Sequence, residues 1–291
     1  MLSNFKLKNS QMGIVNIIYN LKILSMSVLK NLRTYLYIII FPIVVTTFII
    51  FYRVSATSTT INPTTVTAIL LIQPFTVIFL VNITISEWKN SVFLKRIHSA
   101  GISKINFLSS IFIFNFILGY ISFMLCSLYI FLITGSFFTT SNGGFWKILL
   151  DTMTSKEVFG ILLSAALLIM TSILLGTIIS GVIKSVALSQ TITAIYVIVA
   201  IAFSDIIMPP EIFAIQPVLV KISYLFPYKH NVWVGLLLVA DNSGKWIYNG
   251  ASMGRLTTSF ALKEWIPILT SMIWLVLLSV SSIFVFKWDG K

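Results

Sequence analysis

Six long apolar runs divide this chain, and they constrain its fold more than any other feature of the sequence. They fall at residues 35–52, 66–85, 105–134, 158–183, 186–208 and 265–286. A helix needs roughly 20 predominantly apolar residues to cross the hydrocarbon core of a bilayer. Charged residues make up only 10% of the chain, whereas a soluble domain contains about 25%. The sequence therefore predicts an all-α polytopic membrane protein, with a domain of six transmembrane helices over residues 35–286.

The basic residues predict which ends of these spans face the cytoplasm. The net charge is +12, but the lysines and arginines mostly flank the apolar runs. Orientation in a membrane therefore explains them better than binding to nucleic acid does. The short connection at residues 86–104 carries Lys89, Lys95, Arg96 and Lys104. We therefore expect that connection and both termini in the cytoplasm, with residues 287–291 as a tail.

Two further segments are apolar enough to touch the membrane without crossing it. Residues 1–34 are amphipathic, which predicts a helix along the cytoplasmic surface among anionic headgroups. Its apolar face contains Ile14, Ile17, Ile18, Leu21, Leu24, Val28 and Leu32. In residues 209–263, two short apolar stretches at 212–225 and 232–240 predict re-entrant helices in the outer leaflet. Plain surface helices are the alternative interpretation of both segments.

The connection at residues 86–104 has an apolar face of its own. Phe93, Leu94 and Ile97 share one side of a short helix, while the basic side chains point elsewhere. Gly101 is suited to ending that helix. The apolar side suggests contact with another molecule in the cytoplasm, and an ordinary positively charged loop is the alternative.

Taken together, these features resemble the type-2 permeases of ATP-binding-cassette exporters. In that family a glutamate closes the second span, and a short helix and a small-residue-proline step precede the third. Here Glu87, residues 93–97 and residues 99–101 stand in those places. Asn90 replaces the usual glycine and Ala100 the usual proline.

The outer segment adds a second point of resemblance. Residues 224–228 read Tyr-Leu-Phe-Pro-Tyr, which is similar to a tyrosine-leucine-proline step in the re-entrant segment of the family. The resemblance implies that Pro227 and Tyr228 belong to that re-entrant element.

The resemblance implies the permease subunit of a dimeric exporter in a bacterial cell membrane, paired with a second copy or a homologue. A separate cytoplasmic ATPase subunit would hold ATP and magnesium, and it would dock on this chain. The implied coupling residues are Glu87, Phe93, Leu94, Arg96 and Ile97. Glu87 would orient the connection through a charge pair, with Lys104 as the candidate partner. Few charges lie at depth, which favours an amphipathic or apolar cargo such as a lipid, a drug or a hydrophobic peptide.

The family lines both its transport path and its dimer seam with spans one, two and five. That nominates the polar residues of these spans as lining residues: Thr46, Thr47, Gln73, Asn82, Thr193 and Tyr196. Each of them is equally suited to packing between helices. Ser172, Gly176 and Ser180 recur every four residues in the fourth run, which predicts close helix packing there, with a substrate groove as the alternative.

Several kinds of chemistry have no signature in the sequence. A Gly-x-x-x-x-Gly-Lys-Ser/Thr phosphate loop does not occur, so we expect no ATP hydrolysis by this chain alone. We also expect no metal, cofactor or catalytic site, because metal-ligand spacings and catalytic pairs are missing. Cys126 lies in an apolar run and is expected to be a buried thiol.

One acidic residue, Asp205, lies well inside an apolar run without a basic partner there. Its closeness to Pro209 predicts that it reaches the outer interface. An ion-coupled carrier, a membrane enzyme and a non-transporting anchor or immunity protein are the alternative functions.

Overall fold

A computed structural model describes residues 20–57, 63–137, 154–207, 210, 215–240 and 259–286. In these ranges the chain is helical, and six helices are long and apolar enough to cross a membrane. They are span one, Leu32–Phe51; span two, Val66–Asn90; span three, Lys104–Ile133; span four, Ser155–Val182; span five, Val186–Phe203; and span six, Trp265–Val285. The prediction of an all-helical membrane protein with six spans is confirmed. Span five is shorter than predicted, because the chain turns after Phe203.

Four shorter helices connect or flank the spans. They are α1, Asn20–Leu29; α2, Phe93–Ser99; α3, Pro217–Ser223; and α4, Pro227–Val239. A 3₁₀ turn, Ser259–Leu262, precedes span six. Residues 1–19, 211–214, 241–258 and the tail at 287–291 lie outside the described residues, as do the predictions made for them.

Only part of the predicted N-terminal apolar face can be followed, because Ile14, Ile17 and Ile18 lie outside the described residues. Leu24 and Val28 of α1 are buried in the core. Leu32 is 81% exposed and begins span one, so it does not extend the buried face of α1.

Two spans consist of more than one helical piece. Span one begins with an α-helical turn, Leu32–Tyr35, and a π-helical piece, Leu36–Ile40. An α-helix, Phe41–Thr57, follows and continues beyond the end of the span at Phe51. Span two contains Pro63–Leu70 and Gln73–Asn90, and the helix of span three continues to Phe137.

The π-helical piece ends at Ile40, two residues before Pro42. Proline has no N–H group, so the carbonyl of Ile38, one turn earlier, loses the donor that an α-helix would supply. The hydroxyl of Ser122 in span three donates to that carbonyl, and Gln73 Nε2 donates to Ser122 Oγ at 2.7 Å. Spans two and three are thus tied to the irregular start of span one.

Span four packs closely against span two through small residues. Ser172 Oγ donates to the carbonyl of Pro74 at 2.9 Å. A Cβ atom at Gly176 would lie 3.0 Å from the carbonyl oxygen of Ile78, so only glycine fits without a shift. The predicted close packing along this stripe is confirmed.

The end of span four is capped by a lysine from span two. Lys89 is only 8% exposed, and its Nζ donates to the carbonyls of Ser180 at 2.7 Å and Gly181 at 3.0 Å. The last carbonyls of a helix lack intrahelical donors, and a cation there is also favoured by the helix dipole. Lys89 is therefore a buried structural group, although the sequence suggested a surface charge.

Other helices enclose α4 along its whole length. All of its residues except Leu238 are buried. Its first turn lies beside the middle of span four, where the Tyr228 hydroxyl is 2.9 Å from Ser172 Oγ. Its last turn lies near the start of span four, where Leu238 fills the space against Gly160. A helix of 13 residues is thus inserted antiparallel to span four, and it also packs against span six.

Candidate functional site

Spans one, two and five enclose a cavity of about 610 Å³, called the groove below. Span one contributes Tyr37, Phe41, Val45 and Ile49, which recur every four residues and therefore share one helical face. Spans two and five contribute, among others, Ile72, Phe79, Asn82, Gln190, Val197 and Ile201. Ile198 also lines the groove and is 68% exposed, so the groove opens on the side of the helix bundle.

A second cavity of about 490 Å³ continues the groove toward α2. Tyr37 and Gln190 line both cavities, so the two cavities are adjacent. Arg33 lines the second cavity, and its guanidinium donates to the carboxylate of Glu87. Glu87 therefore pairs with Arg33, and the suggested pair with Lys104 is wrong.

Asn82 is the polar candidate that lines the groove. It is 1% exposed, and its Nδ2 donates to Ser189 Oγ of span five at 2.8 Å. Its Oδ1 is buried and has no hydrogen-bond partner among the described residues. An unpaired buried acceptor costs free energy. Eight buried side-chain polar atoms of the described residues have no partner, and among the residues that line the groove Asn82 supplies the one such atom.

The other polar candidates pack between helices and do not line the groove: Thr46, Thr47, Gln73, Thr193 and Tyr196. Thr47 Oγ1 lies 2.8 Å from the Tyr129 hydroxyl of span three, and Gln73 bonds to Ser122. The ring of Tyr196 lies 6.1 Å from that of Tyr228 in α4. The sequence alone does not distinguish these residues from Asn82. It shows that a polar side chain lies on a span, but it does not show which neighbouring helix or cavity that side chain faces.

The short helix predicted in the connection at residues 86–104 is present as α2, and Gly101 follows it with a φ of +76°. Its apolar side, however, faces this chain's own core. Leu94 is 1% and Ile97 8% exposed, and the ring of Phe93 lies 5.0 Å from that of Trp88. The expectation that this side points toward another molecule is therefore wrong.

The solvent-facing side of α2 is basic. Lys95 and Arg96 are exposed, and Val92, just before the helix, is 60% exposed. Arg96 is therefore the one coupling candidate within α2 whose side chain is available to a partner.

A buried ion pair joins the end of span five to α4. Asp205 is 1% exposed, and its Oδ2 accepts from Lys229 Nζ at 2.8 Å and from Trp233 Nε1 at 2.6 Å. Asp205 has a φ of +64°, a left-handed conformation that aspartate tolerates better than most residues. Its own apolar run offers no basic partner, but α4 brings Lys229 to Asp205, so the carboxylate is paired inside the protein. The prediction that Asp205 reaches the outer interface stays a prediction.

The turn between α3 and α4 is held by Pro227 and Tyr228, the two residues that the sequence resemblance assigns to the re-entrant element, and by their neighbours. Pro227 begins α4, where its missing N–H costs nothing. The ring of Tyr228 stacks on Phe75 of span two at 4.4 Å. His230 bonds through Nδ1 to Thr270 Oγ1 at 2.8 Å and through Nε2 to the carbonyl of Tyr224 at 2.9 Å. These contacts fix the start of α4 against spans two and six.

The six spans define a multi-pass membrane protein. No family model matches the chain, and no curated protein or solved structure is significantly similar to it. Within the described ranges, no group of three His, Cys, Asp or Glu residues is placed to hold a metal ion. Any functional assignment therefore depends on the groove, on α2 and on the buried ion pair.

Proposed function

We propose that this chain is the membrane permease subunit of an ATP-driven exporter of the ATP-binding-cassette type. The groove carries the proposal, because spans one, two and five form it, and the family resemblance assigns the path to these three spans. Its lining is predominantly apolar, which suits an amphipathic or apolar cargo. A second copy or a homologue would complete the path as a dimer.

The proposed topology places α2 and both termini in the cytoplasm. Basic residues at that end support it, including Lys95, Arg96 and Arg33. At the opposite end, α3 and α4 would form a re-entrant element in the outer leaflet. The burial of α4 among spans supports this, because backbone that enters a membrane without crossing it requires cover from protein.

The proposed ATPase docks on the exposed side of α2. Because Leu94 and Ile97 face inward, recognition would depend on Lys95 and Arg96, with Val92 as a small apolar contact. The ATPase surface would therefore be acidic, since opposite charges steer association and fix orientation.

The test is reconstitution with each nucleotide-binding protein that the source organism encodes without a membrane domain of its own. The purified chain alone is expected to show no ATP turnover, because its sequence contains no phosphate loop. The pair is expected to copurify and to hydrolyse ATP in proteoliposomes. An ATPase variant lacking its phosphate-loop lysine serves as the control, and turnover by the isolated chain would contradict the proposal.

The buried Asp205–Lys229 pair favours one alternative, an ion-coupled carrier. Ionisable groups inside membrane proteins often mark ion relays. Transport driven by a proton or sodium gradient in liposomes without any ATPase would support that alternative. Loss of such transport in Asp205→Asn protein shown to be folded and present at the wild-type level, with transport retained in the exposed variant Lys221→Met, would assign the ion pathway to this pair.

A further inference from the structure

We infer that the groove binds a single-chain amphiphile. Its alkyl chain lies along the apolar half of the groove, and an uncharged hydrogen-bonding head group lies at Gln190 and Asn82. This inference deepens the proposed function and rests on it only for the statement that the bound molecule is cargo.

The shape of the groove suits a chain. Tyr37, Phe41, Val45 and Ile49 line it at four-residue spacing along span one, which corresponds to a length of about 18 Å at a rise of 1.5 Å per residue. The volume of about 610 Å³ falls within the roughly 300–1,000 Å³ of small-molecule pockets. A long site of this volume holds an extended molecule better than a compact one.

The polarity of the lining changes along the groove. The half near the end of span five is lined by aliphatic side chains, including Ile49, Ile72, Val197 and Ile201. Thr76 is the polar exception there, and its hydroxyl is satisfied by the carbonyl of Gln73 at 2.8 Å. An alkyl chain therefore meets no unsatisfied polar group in this half.

The half near α2 presents amide and hydroxyl groups from Asn82, Gln190 and Thr191. Gln190 stands where the two cavities meet, and its carboxamide has no hydrogen-bond partner among the described residues. Asn82 also lines the groove. Its Nδ2 donates to Ser189 Oγ, and its Oδ1 is a buried acceptor without a partner among the described residues. Together these amides offer both donors and acceptors, which matches a hydroxyl or amide head group.

The charges indicate that the head group is uncharged. Among the described residues that line the larger cavity, none carries a charge. Arg33 is the charged residue lining the second cavity, and Glu87 already pairs with it. A charged head group would lose its hydration shell on entering the groove without gaining a counter-ion, which costs free energy.

The test uses two matched probes in phosphatidylcholine liposomes that contain the chain alone. One probe is 1-palmitoylglycerol with a diazirine in its alkyl chain, and the other is the dimethyl ether of the same molecule. The ether keeps the chain but cannot donate hydrogen bonds. Labelling of the wild type by the glycerol probe is expected to exceed labelling by the ether about 5-fold, the value of one hydrogen bond. Labelled peptides are expected from spans one and five.

Variants separate the head-group site from the chain site. Gln190→Leu is expected to remove the preference for the glycerol probe while leaving labelling by the ether unchanged. Ile201→Trp fills the apolar half and is expected to reduce labelling by both probes severalfold. Ile195→Trp is the matched control, because Ile195 is on the same span, 57% exposed, and outside the groove.

Three outcomes would overturn the inference. Equal labelling by both probes in the wild type would mean that the amides recognise no head group. Unchanged labelling in Ile201→Trp would place the bound chain elsewhere. Absence of groove labelling together with a crosslink between two copies through Ile198→Cys would assign the groove to a second copy. Because no ATPase is present, these results stand whether or not the reconstitution test succeeds.

Discussion

The Asp205–Lys229 pair places two opposite charges inside the protein. Each charge is tolerable because the other is within hydrogen-bonding distance, and Trp233 adds a second polar contact to Asp205. Removing one member of a buried pair leaves an uncompensated charge, whereas removing both is often harmless. The pair therefore joins span five to α4. Comparing single with double substitutions distinguishes the cost of an unpaired charge from the net contribution of the pair to stability.

Lys229→Met is expected to destabilise the chain by about 3–5 kcal/mol, because Asp205 would lose its counter-ion. The double variant Asp205→Asn/Lys229→Met is expected to recover most of the lost stability. Thermal unfolding of the purified chain in detergent measures both. Lys221→Met is the control on the exposed side of α3, and a Lys229→Met protein as stable as wild type would contradict the assignment of a buried pair.

Leu94 lies on the inward side of α2 and is 1% exposed. Leu94→Ala is therefore expected to lower the unfolding temperature of the isolated chain, at a cost of about 2–5 kcal/mol for a buried leucine. Lys95→Ala, one residue along and exposed, is the matched control and is expected to change the unfolding temperature little. If Leu94→Ala left the isolated chain unaffected and weakened only ATPase copurification, the inward packing would be wrong.

At the scale of elements, hydrophobic periodicity predicted where helices form better than it predicted what they face. The α2 helix is an example, because Phe93, Leu94 and Ile97 share a side as expected but pack on the core. A single sequence gives the apolar side of a helix without giving its partner. Apolar side chains suit both packing on the core and insertion into an ATPase cleft. Only the folded structure distinguishes these two roles.

The exposed side of α2 provides an element-scale prediction for the proposed function. The double variant Lys95→Glu/Arg96→Glu is expected to lower ATPase copurification at least severalfold, because it reverses the charge offered to an acidic surface. Unfolding temperature should be unchanged, since both side chains are exposed. Ser99→Ala, also exposed on α2, is the control, and normal copurification of the charge-reversal variant would remove α2 from the docking surface.

The position of α4 was less predictable than that of the spans. Its apolar stretch was recognised at residues 232–240, but the helix begins at Pro227 and includes Lys229 and His230. Charged and polar residues in a first turn normally indicate solvent. Here each has a buried partner on another element, Asp205 for Lys229 and Thr270 for His230. Such long-range pairs leave no local signal in the sequence.

At the scale of the whole molecule, the proposed topology is testable with three exposed serines. In a Cys126→Ala background, Ser155→Cys is expected to react with a membrane-impermeant maleimide added outside intact cells. Ser91→Cys and Ser185→Cys, equally exposed but at the other end of the spans, are expected to react only after permeabilisation. Labelling of Ser91→Cys in intact cells would reverse the topology and remove α2 from the cytoplasm.

The cap that Lys89 places on span four has a consequence for biosynthesis. Span two leaves the ribosome before span four exists, so during that interval Lys89 has none of its carbonyl partners. A lysine at the end of a newly inserted helix lies at the water interface until a partner arrives. The first spans therefore cannot reach their final packing until Ser180 and Gly181 have been synthesised. A nascent chain released after span three would lack both of these carbonyls, and its span two could not complete the packing of the finished protein.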